Sequence, residues 1–217
     1  MKDYDAGKPG EDFYEHIVAP VDFHGQTLED LRGRCIEGDF AVGEMNKYIV
    51  EVKSDHVCFR NQRPTGNLPI EIKNTANSDG EGWFTHCKAD NVAEIVFVCF
   101  DGDESGEPVC SIRIPFDLLE PYVTAKLKDD SYRQEHYRKA YSRDGKPAYN
   151  LCVPLKELYK HCGATIATAR TESPELRRYA QAALEAMGID GTLGKYGHIS
   201  FSEDERIGAL PPQHGKT

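Results

Sequence analysis

The chain has 217 residues, 26 Lys or Arg against 36 Asp or Glu, a formal charge of −10, and a composition 39% hydrophobic and 10% aromatic. Length and composition suit one domain with a buried core and exclude wholesale disorder. The acidic balance excludes a globally basic nucleic-acid binder, no stretch approaches the roughly 20 apolar residues of a membrane helix, and the opening MKDYDAGKPGEDFYEH lacks an apolar signal core.

The seven cysteines are odd in number and include no CxxC pair, which points to a reduced, cytoplasmic protein. Residues 1–12, with Gly7, Pro9 and Gly10, read as a loose arm, and Asp12–Val18 as a short helix. Thr27-Leu-Glu-Asp-Leu-Arg has the signature of a capped helix start, ended by Gly38. Lys47–Val57 (KYIVEVKSDHV) alternates, with Val50 and Val52 toward one face and Glu51, Lys53 and Asp55 toward the other. That is the period of a half-buried strand. Leu68–Asn74 repeats it, with Ile70 and Ile72 against Glu71 and Lys73. Pro64 and Gly66 supply a turn between them, so the two strands are expected to form an antiparallel hairpin.

After a polar gap over 75–82, Ile95–Phe100 (IVFVCF) predicts a buried strand, DGDESGEP a turn and Val109–Ile114 a returning strand. Phe116–Leu127 and Val153–His161 predict helices, with Pro154 in the first turn of the second. Ser173-Pro174-Glu175 opens a further helix that Gly188 ends, with Leu176, Tyr179, Ala180, Ala183 and Met187 along one face. Residues 1–165 read as an α/β core, and 166–217 as a C-terminal helix and flexible tail.

On such a hairpin, Glu51, Lys53, Asp55, Glu71 and Lys73 stand on the outward faces of adjacent strands, with Asp55 and Glu71 sixteen residues apart. Clustered carboxylates suit a hard cation such as Mg²⁺, and a neighbouring lysine can orient water or stabilise charge developing on a phosphate. Alternating Glu and Lys is also ordinary solvent-facing patterning.

The ordered set Val50-Glu51-Val52-Lys53-Ser54-Asp55, Thr65-Gly66-Asn67-Leu68-Pro69-Ile70-Glu71-Ile72-Lys73 and Gly82-Trp83…Lys88-Ala89-Asp90 resembles the PD-(D/E)XK, or restriction-endonuclease-like, nucleases, and within them a group of small phage and bacterial proteins. The resemblance covers roughly residues 27–120. It implies an α/β fold with a mixed central sheet flanked by helices, and Mg²⁺- or Mn²⁺-dependent hydrolysis of DNA phosphodiester bonds leaving a 5′-phosphate. The family carries an acid on one strand and acid-x-lysine on the next. Glu71-Ile72-Lys73 matches the second part, and Asp55 or Glu51 supplies the first acid. The resemblance then implies Asp55, Glu71 and the Ile72 carbonyl as metal ligands, with Lys73 or Lys53 as the catalytic lysine. The family's leading-helix glutamate has three candidates, Glu29, Glu37 and Glu44.

Arg60, Arg63 and Lys88 are candidate phosphate contacts, and Trp83 and Phe84 candidate stacking groups. The run Tyr132-Arg133…His136-Tyr137-Arg138-Lys139…Tyr141…Arg143 is the best basic and aromatic patch, with Arg170, Arg177 and Arg178 a weaker one. A homodimer would suit cleavage of both strands. Two other readings stand beside the nuclease. One is a catalytically inactive protein of the same fold that binds a partner protein through its acidic surface. The other is a zinc-stabilised module using His56, Cys58, His86 and Cys87.

Overall fold

The computed structural model describes residues 4–22, 26, 28–32, 38–43, 48–61, 63–77, 79–102, 108–141, 145–167, 174–189, 191–193 and 199–201. Residues 4–13, which take in most of the segment expected as a loose arm, are helical. Helix α1 (Tyr4–Phe13) runs into a π-helical turn, Tyr14–Val18, and then α2 (Ala19–Asp22). Gly7, Pro9 and Gly10 argue against this locally, and packing overrides them. Tyr14 and Val18 are 0% and 1% exposed, and Gly10 sits so close to the sheet that a Cβ would fall 2.5 Å from Ser54 Oγ.

The segment expected to open a second helix is instead β1 (Leu28–Asp30), which pairs antiparallel with β2 (Phe40–Val42). Strand β3 (Tyr48–Arg60) follows, as its alternation predicts, then a two-residue β4 (Arg63–Pro64) and β5 (Asn67–Asn74). The expected hairpin closes only at Phe59↔Pro64 and Arg60↔Arg63. Beyond Gly66, at φ +82°, β5 leaves for a second sheet. The sequence marked the turn correctly, but a turn does not choose the strand's partner.

Helix α3 (Trp83–Ala89), β6 (Glu94–Asp101), β7 (Pro108–Pro115), α4 (Phe116–Lys128), α5 (Asp130–His136), β8 (Tyr137–Tyr141) and β9 (Pro147–Pro154) come next. The expected helix at Val153 starts two residues later, as α6 (Leu155–Cys162), because β9 keeps Val153 and Pro154. Then follow β10 (Thr165–Ala167), α7 (Pro174–Met187), β11 (Gly191–Leu193) and β12 (Ile199–Phe201). Ser173 lies outside the described residues, and so does the tail beyond Phe201.

The central sheet runs β1-β2-β3-β6-β7-β10, with β4 attached to β3. Only β3 and β6 are parallel; the other neighbours are antiparallel. A second sheet, β5-β9-β8, is antiparallel throughout. The molecule is therefore α/β, with a mixed central sheet flanked by helices. Strand β6 is buried on both faces, as parallel pairing demands. Val96, Val98 and Phe100 join Tyr14, Val18, Phe40, Val50 and Val52 under α1. Ile95, Phe97 and Cys99 join the larger core, which α3, α4, α6 and α7 cover. Among the described residues no helix is long and apolar enough to cross a membrane.

Candidate functional site

The alternation of β3 holds, but its charged face is not outward. With Val50 and Val52 under α1, Glu51, Lys53 and Asp55 turn toward the larger core, and Glu51 and Asp55 are only 2% and 3% exposed. A buried carboxylate needs a cation, hydrogen bonds or a proton. Glu51 has the Lys53 ammonium as an ion-pair partner. Burial alone would push Lys53 toward the neutral amine, but Glu51 and then Asp39 outweigh it and raise its pKa. Lys53 also lies over the Trp83 ring, at 5.7 Å from the centroid.

Asp39 stands one residue beyond the Phe40↔Val50 pair, on the side of Glu51. Its Oδ2 accepts the Val52 N–H at 2.7 Å. Burial, and next the Glu51 charge, lift its pKa to about 8; Lys53 and the Val52 N–H pull the other way. Gly38, at φ +117°, makes the bend that delivers Asp39 to the sheet. From α1 comes Glu11, whose pKa burial also raises, with Arg32 opposing and Glu51 adding to the rise. Arg32 holds α1 in place: it reaches Glu15 and Asp30 at 2.7 Å, Asp12 at 3.4 Å and Glu11 at 3.6 Å. Glu11, Asp39 and Glu51 thus act on one another electrostatically around the half-buried Lys53.

Lys53 also lines a cleft of about 580 Å³ between the two sheets. Asp55 and Glu71 line it too, with Asn74, Asn77 and Asn150 and a floor of Trp83 and Phe97. Glu71 accepts the Asn74 amide at 3.3 Å. Asp55 Oδ2 accepts the Cys58 N–H at 2.6 Å, while its buried Oδ1 has no hydrogen-bond partner among the described residues. Burial lifts Asp55 to about pKa 6, against the Cys58 and Val57 N–H groups. Its donor atom lies within 4.8 Å of the Cys58 and Cys99 sulfurs. Such a set is softer than Mg²⁺ favours.

The two sheets separate the remaining sequence candidates. A register shift in β5 pairs Glu71 with Asn150 but Lys73 with Tyr149. Asn150 and Tyr149 are consecutive on β9 and face opposite sides. The bulge therefore turns Lys73 away from Glu71, into a separate depression. The Ile72 carbonyl accepts the Gly82 N–H at 3.0 Å. Arg60 and Arg63 are exposed at the far end of β3, nine residues from Glu51, which a strand spans in about 30 Å. Lys88 is exposed and bonds Glu120 at 2.6 Å. Trp83 and Phe84 are buried, so neither offers an open stacking face.

Glu29 is half-buried on β1; Glu37 and Glu44 lie outside the described residues. The four zinc candidates are dispersed: His56 stacks on Phe100 beneath α1, Cys58 and Cys87 are in the larger core, and His86 bonds Asp79 at 2.9 Å. Asp79, Glu81 and His86 form a second set of donors within 4.8 Å, on the surface. No protein-family profile, no curated protein and no solved structure matches the chain.

Sequence reasoning passes over Asp39 and Glu11. A signal for Asp39 was present: it precedes Glu51-Val52-Lys53, itself an acid-x-lysine, by a dozen residues. Glu11 fell in the segment read as a loose arm.

Proposed function

We propose that this protein is a metal-dependent endonuclease of the restriction-endonuclease-like fold, hydrolysing DNA phosphodiester bonds at a centre formed by Asp39, Glu51 and Lys53, with Glu11 beside it. One observation carries the reading. Lys53 is held charged by its ion pair with Glu51 and lines the cleft between the sheets. The order of elements supports it: a leading helix with a glutamate, an acid at the foot of β2, and acid-x-lysine on β3. The assignment shifts the acid-x-lysine from Glu71 and Lys73 to Glu51 and Lys53, because the β5 bulge separates the former two.

The residues fit a hard divalent cation such as Mg²⁺ or Mn²⁺. Asp39 and Glu51 are oxygen donors that the Phe40↔Val50 register brings to neighbouring positions, one at the foot of β2 and one on β3. Asp39 and Glu51 would hold it, and when bound it would lower the pKa of water and polarise the phosphate. Lys53 keeps its proton and stabilises the charge that develops on the phosphate as the bond to the leaving oxygen breaks. Glu51 orients Lys53, and Glu11 stands ready to accept a proton, its pKa raised by burial. Glu71, Asn74 and Asn150 give the cleft hydrogen-bonding walls that orient the substrate.

The test is cleavage of supercoiled plasmid, single-stranded DNA and a branched duplex, with Mg²⁺, Mn²⁺ or EDTA. Asp39→Asn, Glu51→Gln and Lys53→Met should each lose at least about 100-fold in rate, the scale of one preorganised electrostatic group. Lys73→Ala should cut normally. Loss with Lys73→Ala but not with Asp39→Asn would move the centre to β5. An inert wild type on every substrate would leave the charge of −10 as the better guide, toward an inactive fold that binds a basic partner protein.

A further inference from the structure

The second sheet has two faces. Asn150 looks into the cleft; Tyr149, the next residue on β9, looks away from it. On Tyr149's face the register lines up Lys73 of β5, Tyr149 of β9 and Lys139 of β8 in one row. Tyr137 and Tyr141 flank Lys139 on the same side of β8, two residues either way. The Tyr137 and Tyr149 rings are near parallel, 18° apart, with centroids separated by 6.0 Å. Lys139 lies over Tyr141 at 4.8 Å and over Tyr149 at 6.0 Å. Helices α4 and α5 wall this face with Leu127 and Arg133, enclosing a depression of about 500 Å³. That is inside the roughly 300–1,000 Å³ range of pockets that take small organic groups.

Three features distinguish this face from ordinary edge packing. Tyr141 is 65% exposed, a large ring left in water at the sheet edge. Lys73, Arg133 and Lys139 border this face although the chain as a whole is acidic. Arg133 pairs with Asp130, at 3.3 Å, in an exposed contact that a phosphate can displace. The sequence patch is also sorted by the fold: Tyr132 turns inward to bond Glu157, and Arg138 pairs in register with Asn150 on the cleft side. What remains outward alternates ring and cation.

We propose that this face is a platform for single-stranded nucleic acid, with Tyr137, Tyr141 and Tyr149 stacking on unpaired bases and Lys73, Arg133 and Lys139 meeting the flanking phosphates. The half-buried rings of Tyr137 and Tyr149 reach only a base that has left its own stack, so a duplex cannot use the full platform. The contact lies on the opposite side of the sheet from the cleft and does not depend on cleavage chemistry.

The test is equilibrium binding in EDTA, read by anisotropy of labelled 20-mers. The probes are oligodeoxythymidylate, oligouridylate and a 20-base-pair duplex, with the full chain as the protein. Expected is binding of a single strand at least ten-fold tighter than the duplex, with the two homopolymers reporting whether the sugar matters. Tyr141→Ala and Tyr149→Ala should each weaken single-strand binding by roughly five-fold or more, while Tyr149→Phe retains it, since stacking needs the ring and not the hydroxyl. Tyr141 is exposed, so its variant tests the platform even if Tyr149→Ala fails to fold. With three cations engaged, log affinity against log salt should slope at about −2, and Lys139→Ala should make it shallower. Lys160→Ala, on α6, should change nothing. Equal affinity for duplex and single strand, tyrosine variants that bind as wild type, or no binding of either homopolymer at 100 µM protein (about the weakest non-specific affinity) would overturn the proposal.

Discussion

Lys53 stays protonated because Glu51 is its ion-pair partner, and Asp39, lifted to about pKa 8 by burial, adds to that pull only as it ionises. Asp55, two residues along, has no such cation. Its carboxylate accepts the Cys58 N–H, with the Val57 N–H also favouring the charge, and keeps one oxygen buried without a partner among the described residues. Burial lifts its pKa from 3.8 to about 6. The folded state therefore holds this proton more tightly than the unfolded chain, so Asp55 erodes stability as pH rises from about 4 through about 6. Asp55→Asn keeps an acceptor for Cys58 and removes the charge. It should raise stability at pH 7.5 by up to about 3 kcal/mol, the equivalent of a two-unit shift, and change little near pH 4. Thermal melts at the two pH values measure the difference; equal gains at both would refute a titration origin.

At the scale of elements, the junction between β5 and α3 sets the cleft wall. The N-cap of α3 is Gly82, and its N–H bonds the Ile72 carbonyl. A Cβ there would lie 2.5 Å from the Glu71 oxygen and 2.8 Å from the Ile72 carbonyl carbon, both backbone. Gly82→Ala must push β5 aside. It should cost about 1–3 kcal/mol in a urea titration and move Glu71 in the cleft. An unchanged midpoint would show that the junction is looser than the contact distances indicate.

The elements also show what the sequence disclosed. Strand β3 was legible because thirteen residues are enough for period two to declare itself. Strand β2, at three residues, is too short for any period, so Asp39 beside it went unseen. Helix α1 was hidden by glycines and a proline that local propensity disfavours, and its fit against Ser54 and Val98 was visible only once the sheet existed. The expected placement of Lys73 beside Glu71 fails for a different reason. Glu71 and Lys73 share a face in any regular strand, and the bulge that parts them depends on β9, about eighty residues away. Glu51 and Lys53 were read correctly as neighbours and incorrectly as surface groups.

At the scale of the whole molecule, α7 belongs to the same core as the sheets. Tyr179, Ala183, Leu184 and Met187 are buried in it, the Tyr179 hydroxyl bonds Asp101 at 2.7 Å, and its ring meets Phe59 edge-on at 5.3 Å. Leu184→Ala should cost about 2–5 kcal/mol by denaturant titration, the usual range for a fully buried leucine. A midpoint within error of wild type would make α7 a removable appendage instead.

Strand β3 lies between β2 and β6, bonded along both edges over Val50 and Val52, with an apolar cluster pressed on one side and buried charge on the other. Its amides have no local opening that exposes them without breaking the sheet in two. In deuterated buffer, Val50 and Val52 should exchange only by global unfolding, at the full free energy of the fold, while the amides of edge strand β8 exchange orders of magnitude faster. The acids and lysine on β3 therefore ride on the slowest-opening part of the chain, and the tyrosines and cations of β8 on one of the fastest.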